Sequence, residues 1–366
     1  MKQFLILLFI ACTVGCRSSN SGEYQTIHIQ KNIVDAISID DILTEYRFVS
    51  LEATGSSIVG DPQKVILKND VIFVFDGRRI FQFTTQGDFL RTLDRRGRGP
   101  QEYLGIWDFT VSTEEIIIWD QNSKTIFRYS LDNTYINSYP IDHFAATIYL
   151  IDKDSLLFSS NYQRFDDYKF IIRDLKTMDS ITSFYPINKA QRTYRHFMGQ
   201  MNYYVYKNTL LFHEPMNNYI YKIENGEFKP VYYFDIYGHS TPDAFWDQEY
   251  EHTGAARMTA QEKGYCYGTP TYVESDAQVF FSFFNGDKNM YCRYLKKTGE
   301  SVQFERLTLF QDLPAVKPWT YSDSEDHILL IFDSSDFFDE NNMPYVTELS
   351  HISNNGNPVI CIAKLK

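Results

Sequence analysis

Apolar and polar positions alternate along much of this chain, and short wholly apolar runs recur between the alternating stretches. Ile72-Phe73-Val74-Phe75-Asp76 is followed by the alternating Ile80-Phe81-Gln82-Phe83, and then by Gly87-Asp88-Phe89-Leu90. The phrase returns as Ile116-Ile117-Ile118-Trp119-Asp120, then Ile126-Phe127-Arg128-Tyr129, then Asn133-Thr134-Tyr135-Ile136. A period of two predicts a strand covered on one face, and an unbroken apolar run predicts one covered on both. The apolar run is therefore read as the strand buried near a central axis. Gly87, Gly226 and Gly299 occupy hairpin positions where a positive φ is favoured. No 3.6-residue period survives across these runs, so a helical reading fails.

The same unit continues with Leu156-Leu157-Phe158 and Phe170-Ile171-Ile172, and again with Leu210-Leu211-Phe212 and Ile220–Ile223. Val279-Phe280-Phe281 with Met290–Tyr294 gives a fifth copy, and Ile328–Phe332 with Val359–Ala363 a sixth. Repetition at about 40–50 residues is the signature of a β-propeller. The prediction is an all-β, six-bladed β-propeller of four-stranded antiparallel blades, occupying residues 41–366. A ring must close or leave two sheet edges open. The alternating Tyr46–Leu51 is expected to pair with Val359–Ala363 and clasp the termini in one blade. Pro242-Asp243 after Ser240-Thr241 is a helix-start signal. A short helical insertion is therefore expected at 241–264, between blades 4 and 5, with Phe245, Tyr250, Ala255, Ala256 and Met258 facing one way. Ser334–Val346 is a turn-rich acidic excursion within the sixth unit.

Composition agrees with this picture and narrows the partners. Aromatic residues make up 16% of the chain, with 27 Tyr and 29 Phe, which suits half-buried pleated surfaces. A net charge of −12 and the lack of a contiguous basic stripe exclude general affinity for nucleic acid. At the N-terminus, Lys2 precedes the apolar run Phe4–Ala11, too short to span a bilayer and sized for a signal-peptide core. Thr13-Val14-Gly15-Cys16 resembles a bacterial lipobox with Cys16 as the lipidated residue, although Thr13 stands where leucine is usual; Ile10-Ala11-Cys12 is a rival site. Residues 1–16 are thus expected as a lipoprotein signal peptide and 17–40 as a polar tether and lead-in, making the protein lipid-anchored at the cell envelope. Cys266, Cys292 and Cys361 are odd in number; a Cys266–Cys292 disulfide and buried free thiols both remain open.

The residues Phe48-Val49-Ser50-Leu51-Glu52, Ile72–Asp76, Gly97-Arg98-Gly99-Pro100-Gln101-Glu102-Tyr103 and Asn357-Pro358-Val359 give the chain a family likeness. It resembles the six-bladed β-propeller lipoproteins of gut Bacteroidetes, akin to NHL-repeat and TolB-like propellers, over essentially the whole mature chain. Gln101 departs from that family's pattern, which has a second glycine before the glutamate. The resemblance implies an exported binding or scaffold module and carries no catalytic residues with it.

The sharpest local chemistry is Arg95-Arg96-Gly97-Arg98-Gly99-Pro100-Gln101-Glu102-Tyr103, in the link between the first two units. Two readings stand. Arg95, Arg96 and Arg98 would clamp a carboxylate, phosphate or sulfate, since guanidinium is a planar bidentate donor. Alternatively Arg98 pairs with Glu102 and Tyr103 wedges between blades. Asp76 and Asp120 end equivalent apolar runs, and either accept turn amides or line the axial channel and hold a cation such as calcium. The Asp333–Asn342 segment is oxygen-rich but lacks calcium-loop spacing. Glu249 and His252 are expected to share a face of the insertion helix. His196, beside Arg192 and Arg195, is expected at the channel mouth.

These features point to a binding module for a glycan, peptide or envelope protein at the mouth of the ring. The alternative is a propeller hydrolase of lactonase type with a metal or acidic groups at the axial channel. The lipobox yields the first test: Cys16→Ser abolishes metabolic palmitate labelling and releases the protein from the membrane fraction, whereas a non-lipidated protein is unchanged by it.

Overall fold

The computed structural model describes residues 24–160, 167–188, 190, 192, 203–213, 216–224, 227–309, 319–321, 327–345, 349–354 and 356–366. The chain begins with β1 (Gln25–Ile29), β2 (Ala36–Ser38), a four-residue helix α1 (Ile39–Ile42) and β3 (Leu43–Ser50). Blade 1 follows as β4 (Lys64–Lys68), β5 (Val71–Phe75), β6 (Ile80–Thr84) and β7 (Phe89–Leu93). Blade 2 is β8 (Asp108–Val111), β9 (Glu115–Asp120), β10 (Thr125–Ser130) and β11 (Tyr135–Pro140); blade 3 is β12 (Thr147–Leu150), β13 (Ser155–Ser159), β14 (Tyr168–Asp174) and β15 (Ser180–Pro186). Blade 4 comprises β16 (Tyr203–Tyr206), β17 (Thr209–His213), β18 (Tyr219–Glu224) and β19 (Glu227–Ile236). After helices α2 (Asp243–Trp246) and α3 (Thr253–Glu262), blade 5 is β20 (Cys266–Glu274), β21 (Gln278–Asn285), β22 (Lys288–Leu295) and β23 (Ser301–Phe304). A short β24 (Arg306–Thr308) leads to blade 6, built from β25 (Trp319–Tyr321), β26 (Ile328–Phe332) and β27 (Val359–Leu365), with β3 as its outer strand.

Six antiparallel sheets stand around one axis as a six-bladed propeller. The first strand of each blade lies innermost, and β4 touches both β8 and β25 across neighbouring blades. This corrects the placement of the apolar runs, which are the second strands β5, β9, β13, β17, β21 and β26, one step out from the axis. They are apolar because successive side chains serve two different seams. Ile72 and Val74 pack towards blade 6, while Phe73 and Phe75 pack towards blade 2. Ile116 and Ile118 face blade 1, and Ile117 and Trp119 face blade 3. The core is thus a circle of seams, each shared by two sheets, as expected when a blade cannot bury its faces alone.

The expected clasp forms. Ser50 pairs with Val359, Val49 with Ile360, Phe48 with Cys361 and Arg47 with Ile362, antiparallel. Side chains then stitch the seam to blade 1. The buried Asn357 donates to the carbonyls of Glu52 and Ser57, both at 2.9 Å, and accepts from the Val59 amide. Glu52 accepts the Phe89 amide, and its own amide donates to the Gly87 carbonyl. Gly87 has φ +97°, and a Cβ there would lie 2.1 Å from the Ser50 carbonyl oxygen, so this turn approaches the clasp only as glycine. Gly299 also has positive φ; Gly226 lies outside the described residues.

The segment expected as tether and lead-in is structured from Tyr24 onward. β1 adds to β19 as a parallel fifth strand of blade 4. Asn32 and Val34 then bond to the backbone of Gln303 in blade 5, and β2 pairs with β24. A strap therefore runs around blades 4 and 5 before β3 closes blade 6. The alternation of Ile27 and Ile29, both buried, is what seats it. The helical insertion is present as two helices rather than one. Phe245, Trp246, Ala256 and Ala260 are buried in it, whereas Met258 faces solvent. The excursion after β26 holds a 3-10 turn, Ser334–Phe337, and its residue Val346 lies outside the described residues. Cys266, Cys292 and Cys361 are buried free thiols, and burial pushes Cys266 up to about 11.

One charged contact sits deep between the inner strands. The Lys64 ammonium is 2.9 Å from Asp108 Oδ1 and donates to the Phe109 carbonyl at 2.7 Å, while Asp108 Oδ2 accepts the Ile148 amide. Blades 1, 2 and 3 are joined through it. Breaking a buried pair leaves an uncompensated charge, so Lys64→Met is expected to destabilise the fold by about 3–5 kcal/mol. Denaturant unfolding checks this, and an unchanged midpoint would show the pair to be solvated.

Candidate functional site

Strands in each blade alternate in direction, so the links between blades and the turns after the second strands share one face of the ring. The link Arg95–Tyr103 and the turns at Asp76 and Asp120 lie on this link face. The link is a closed local structure. The Gly97 amide donates to the Tyr103 carbonyl and the Tyr103 amide to the Arg95 carbonyl. Glu102 accepts the Gly99 amide at 2.8 Å, and not a guanidinium. A Cβ on Gly97 would stand 1.9 Å from that carboxylate, which accounts for the glycine. Tyr103 is fully buried against Phe127 and Tyr129, with ring centroids 6.4 and 6.3 Å away. Its hydroxyl accepts the Arg95 amide and donates to the Leu93 carbonyl. Arg95, Arg96 and Arg98 point to solvent, and Arg96 Nε donates to the Leu104 carbonyl. The structure thus separates the two halves of the motif: glycines, Glu102 and Tyr103 build the loop, and the arginines decorate it.

Asp76 and Asp120 each bond within their own turn. Asp76 Oδ1 accepts the amides of Arg78 and Arg79. Asp120 Oδ1 accepts those of Asn122 and Ser123, while Oδ2 takes the Ser123 hydroxyl and the Leu104 amide, holding the link against blade 2. Asp339 likewise accepts the amides of Asn341 and Met343. His252 is the N-cap of α3, accepting the Ala255 amide, and Glu249 lies outside any helix. Among the described residues no three His, Cys, Asp or Glu side chains converge as metal ligands. His196, Arg195 and Cys16 lie outside the described residues; Arg192 is 3.5 Å from Asp167.

A site that pattern reading missed lies in the groove between blades 3 and 4, beneath the insertion. This cleft, about 330 Å³, is walled by Tyr24, Tyr185, Tyr219, Tyr221 and Trp246. Alternation along β18 puts Tyr219 and Tyr221 on one face, with ring centroids 5.8 Å apart. Tyr24 meets Tyr219 edge-on at 5.3 Å, from the residue just before β1. The turn entering β18 is set by Asn217, whose Oδ1 accepts the Tyr219 amide at 2.6 Å and whose Nδ2 donates to the Tyr221 hydroxyl. α2 brings Asp243, which accepts the Tyr219 hydroxyl at 3.2 Å. Burial, the Tyr24 hydroxyl and the Asp243 charge raise the Tyr219 phenol far above its usual range, so it stays protonated. Asn218 and Asp247 complete the wall. The ingredients are local (Asn217-Asn218-Tyr219 and Asp243 to Trp246), but their meeting with Tyr24 depends on the strap.

A larger hollow of about 480 Å³ opens at the far end of the axis, around the turns Ser112–Glu114 and Asp152–Asp154. Its charges answer one another: Arg128 is bidentate on Glu115, and Lys176 is 3.3 Å from Asp154. The aromatic cleft has the more specific chemistry, since five rings, two amides and two carboxylates are gathered there.

The sequence from residue 24 to residue 364 matches the family model described as a domain of unknown function, DUF4934. No curated protein sequence matches the chain. Among solved structures, a Bacteroides fragilis protein described as exported shares the fold. Its TM-score is 0.71 at 18% identity, covering 93% of this chain and 99% of that one. A DUF4221 family member from Bacteroides vulgatus gives a TM-score of 0.48 at 10% identity, covering 88% and 97%. The chain belongs to the DUF4934 family.

The link geometry makes a stability prediction that separates its two halves. Tyr103→Phe removes the partner of the part-buried Arg95 amide and of the Leu93 carbonyl and costs about 1–2 kcal/mol, while Arg95→Ala and Arg96→Ala stay within about 0.5 kcal/mol of the parent. Thermal unfolding of the three variants distinguishes them.

Proposed function

We propose that this DUF4934 propeller is an exported, lipid-anchored binding module that holds an envelope ligand, a glycan or a peptide, in the aromatic cleft beneath its insertion. The observation that carries this reading is the cleft itself: five rings around a hollow of about 330 Å³, with amide and carboxylate groups set among them. Flat rings offer large contact area at low entropic cost, and a few fixed polar groups orient what they hold. The lipobox at Cys16 and the exported description of the Bacteroides fragilis protein support the location. The ring supplies stiffness. Tyr185 comes from blade 3, Tyr219 from blade 4 and Trp246 from the insertion, so the walls are held by three separately packed units.

The test is a thermal-shift screen of the full chain against envelope oligosaccharides and short peptides, since a ligand that binds only the folded state raises its midpoint. Tyr24→Ala with Tyr219→Ala is expected to weaken any ligand so found by about tenfold or more. Unchanged affinity in that double variant would move the site elsewhere.

A further inference from the structure

We infer that the cleft recognises a cationic amine: an ammonium group on the ligand, received by Asp243, the amide oxygen of Asn218 and the tyrosine faces. This deepens the binding reading above and rests on it.

The first observation is charge. Among the described residues, tyrosine, tryptophan, asparagine, threonine, proline and aspartate line the cleft, with no lysine, arginine or histidine among them. Asp243 receives one hydrogen bond, from the Tyr219 hydroxyl through Oδ2, and forms no ion pair among the described residues. The Lys169 ammonium stands 5.3 Å from the Tyr185 ring, but no cation among the described residues pairs with Asp243, and an unpaired carboxylate repels an anionic ligand and attracts a positive one.

The second observation is independent of charge. Asn218 is 3% exposed, and its Nδ2 donates to the Cys266 carbonyl at 3.3 Å. That bond fixes the orientation of the amide, because the reverse orientation would set two carbonyl-type oxygens against each other. Asn218 Oδ1 is therefore the free end, and it has no hydrogen-bond partner. A buried acceptor without a donor bears its desolvation cost uncompensated, and a ligand N–H would recover it. The open polar positions of Asn218 and Asp243 are thus both acceptors, and an ammonium group has three donors and no acceptor.

The third is the wall. Aromatic faces carry negative quadrupole density and attract ammonium groups within about 6 Å, most strongly where water is excluded. Tyr24, Tyr219 and Tyr221 cluster with centroids 5.3 and 5.8 Å apart along the chain of contacts, close enough to share one small cation. A neutral sugar ring would use the same faces but leave the Asp243 charge unanswered.

The chemistry could be presented by a lysine side chain of a peptide or by an amino sugar, and the probes separate these. Ligand-observed NMR titration of the full chain would compare Nα-acetyl-lysine methylamide with its norleucine counterpart, and glucosamine with glucose. At least one amine is expected to bind about tenfold or more tighter than its neutral counterpart, the stronger amine naming the source. Asp243→Asn, which keeps an acceptor for Tyr219, should remove that preference. If amine and neutral probes bind alike and Asp243→Asn alters neither, the charge inference is overturned while the cleft remains a binding site. If no amine binds, it is likewise overturned. If Tyr24→Ala with Tyr219→Ala leaves all probe binding intact, the cleft itself is the wrong site.

Discussion

Everything in this molecule depends on the ladder between β3 and β27. Six sheets can bury their faces only against one another, and a ring with a missing seam would leave two apolar faces in water. The chain solves this by supplying the outer strand of its last blade from residues 43–50, so that blade 6 is complete only when both ends of the sequence meet. Asn357, Glu52 and Gly87 then bind that seam to blade 1 through hydrogen bonds, and at Gly87 there is no room for a Cβ. Closure is a long-range contact across most of the chain, which makes it entropically costly to form and cooperative once formed.

The seams explain why so much of the fold was legible. A second strand flanked by two blades must be apolar on both faces, and that requirement writes the runs Ile72–Phe75 and Ile116–Trp119 into the sequence. Their distance from the axis was not legible, because double-sided burial looks the same one strand further out. The first strands are short and mixed, as Lys64 to Lys68 shows, and periodicity gives them no distinctive voice. The clasp was readable from alternation at Tyr46–Leu51. The strap was not: Gln25–Ile29 is brief and polar at alternate positions, and what orders it is the open edge of β19, a partner about two hundred residues away.

Buried charge marks another boundary of sequence reading. Lys64 with Asp108 joins three blades, and Glu274 gathers Tyr232, Tyr272 and Lys296 between blades 4 and 5. Each charge is ordinary in its local sequence and becomes remarkable only through its neighbour in another blade. The same holds for the cleft. The unusual residues of Arg95–Tyr103 are contiguous in sequence, yet that contiguity serves a self-bonded link. Tyr24, Tyr219 and Asp243 are unremarkable singly and acquire chemistry only by convergence.

The strap gives the cleft a mechanical setting. The proposed lipid anchor at Cys16 would lie eight residues before Tyr24, a span of at most about 30 Å. Tension through such an anchor would arrive first at Tyr24, whose ring stands in the cleft wall, and next at the five paired residues of β1. Drag through such a tether and occupancy of the groove would then act on the same few contacts, so that a filled cleft would resist peeling of the strap and a pulled tether would loosen the grip.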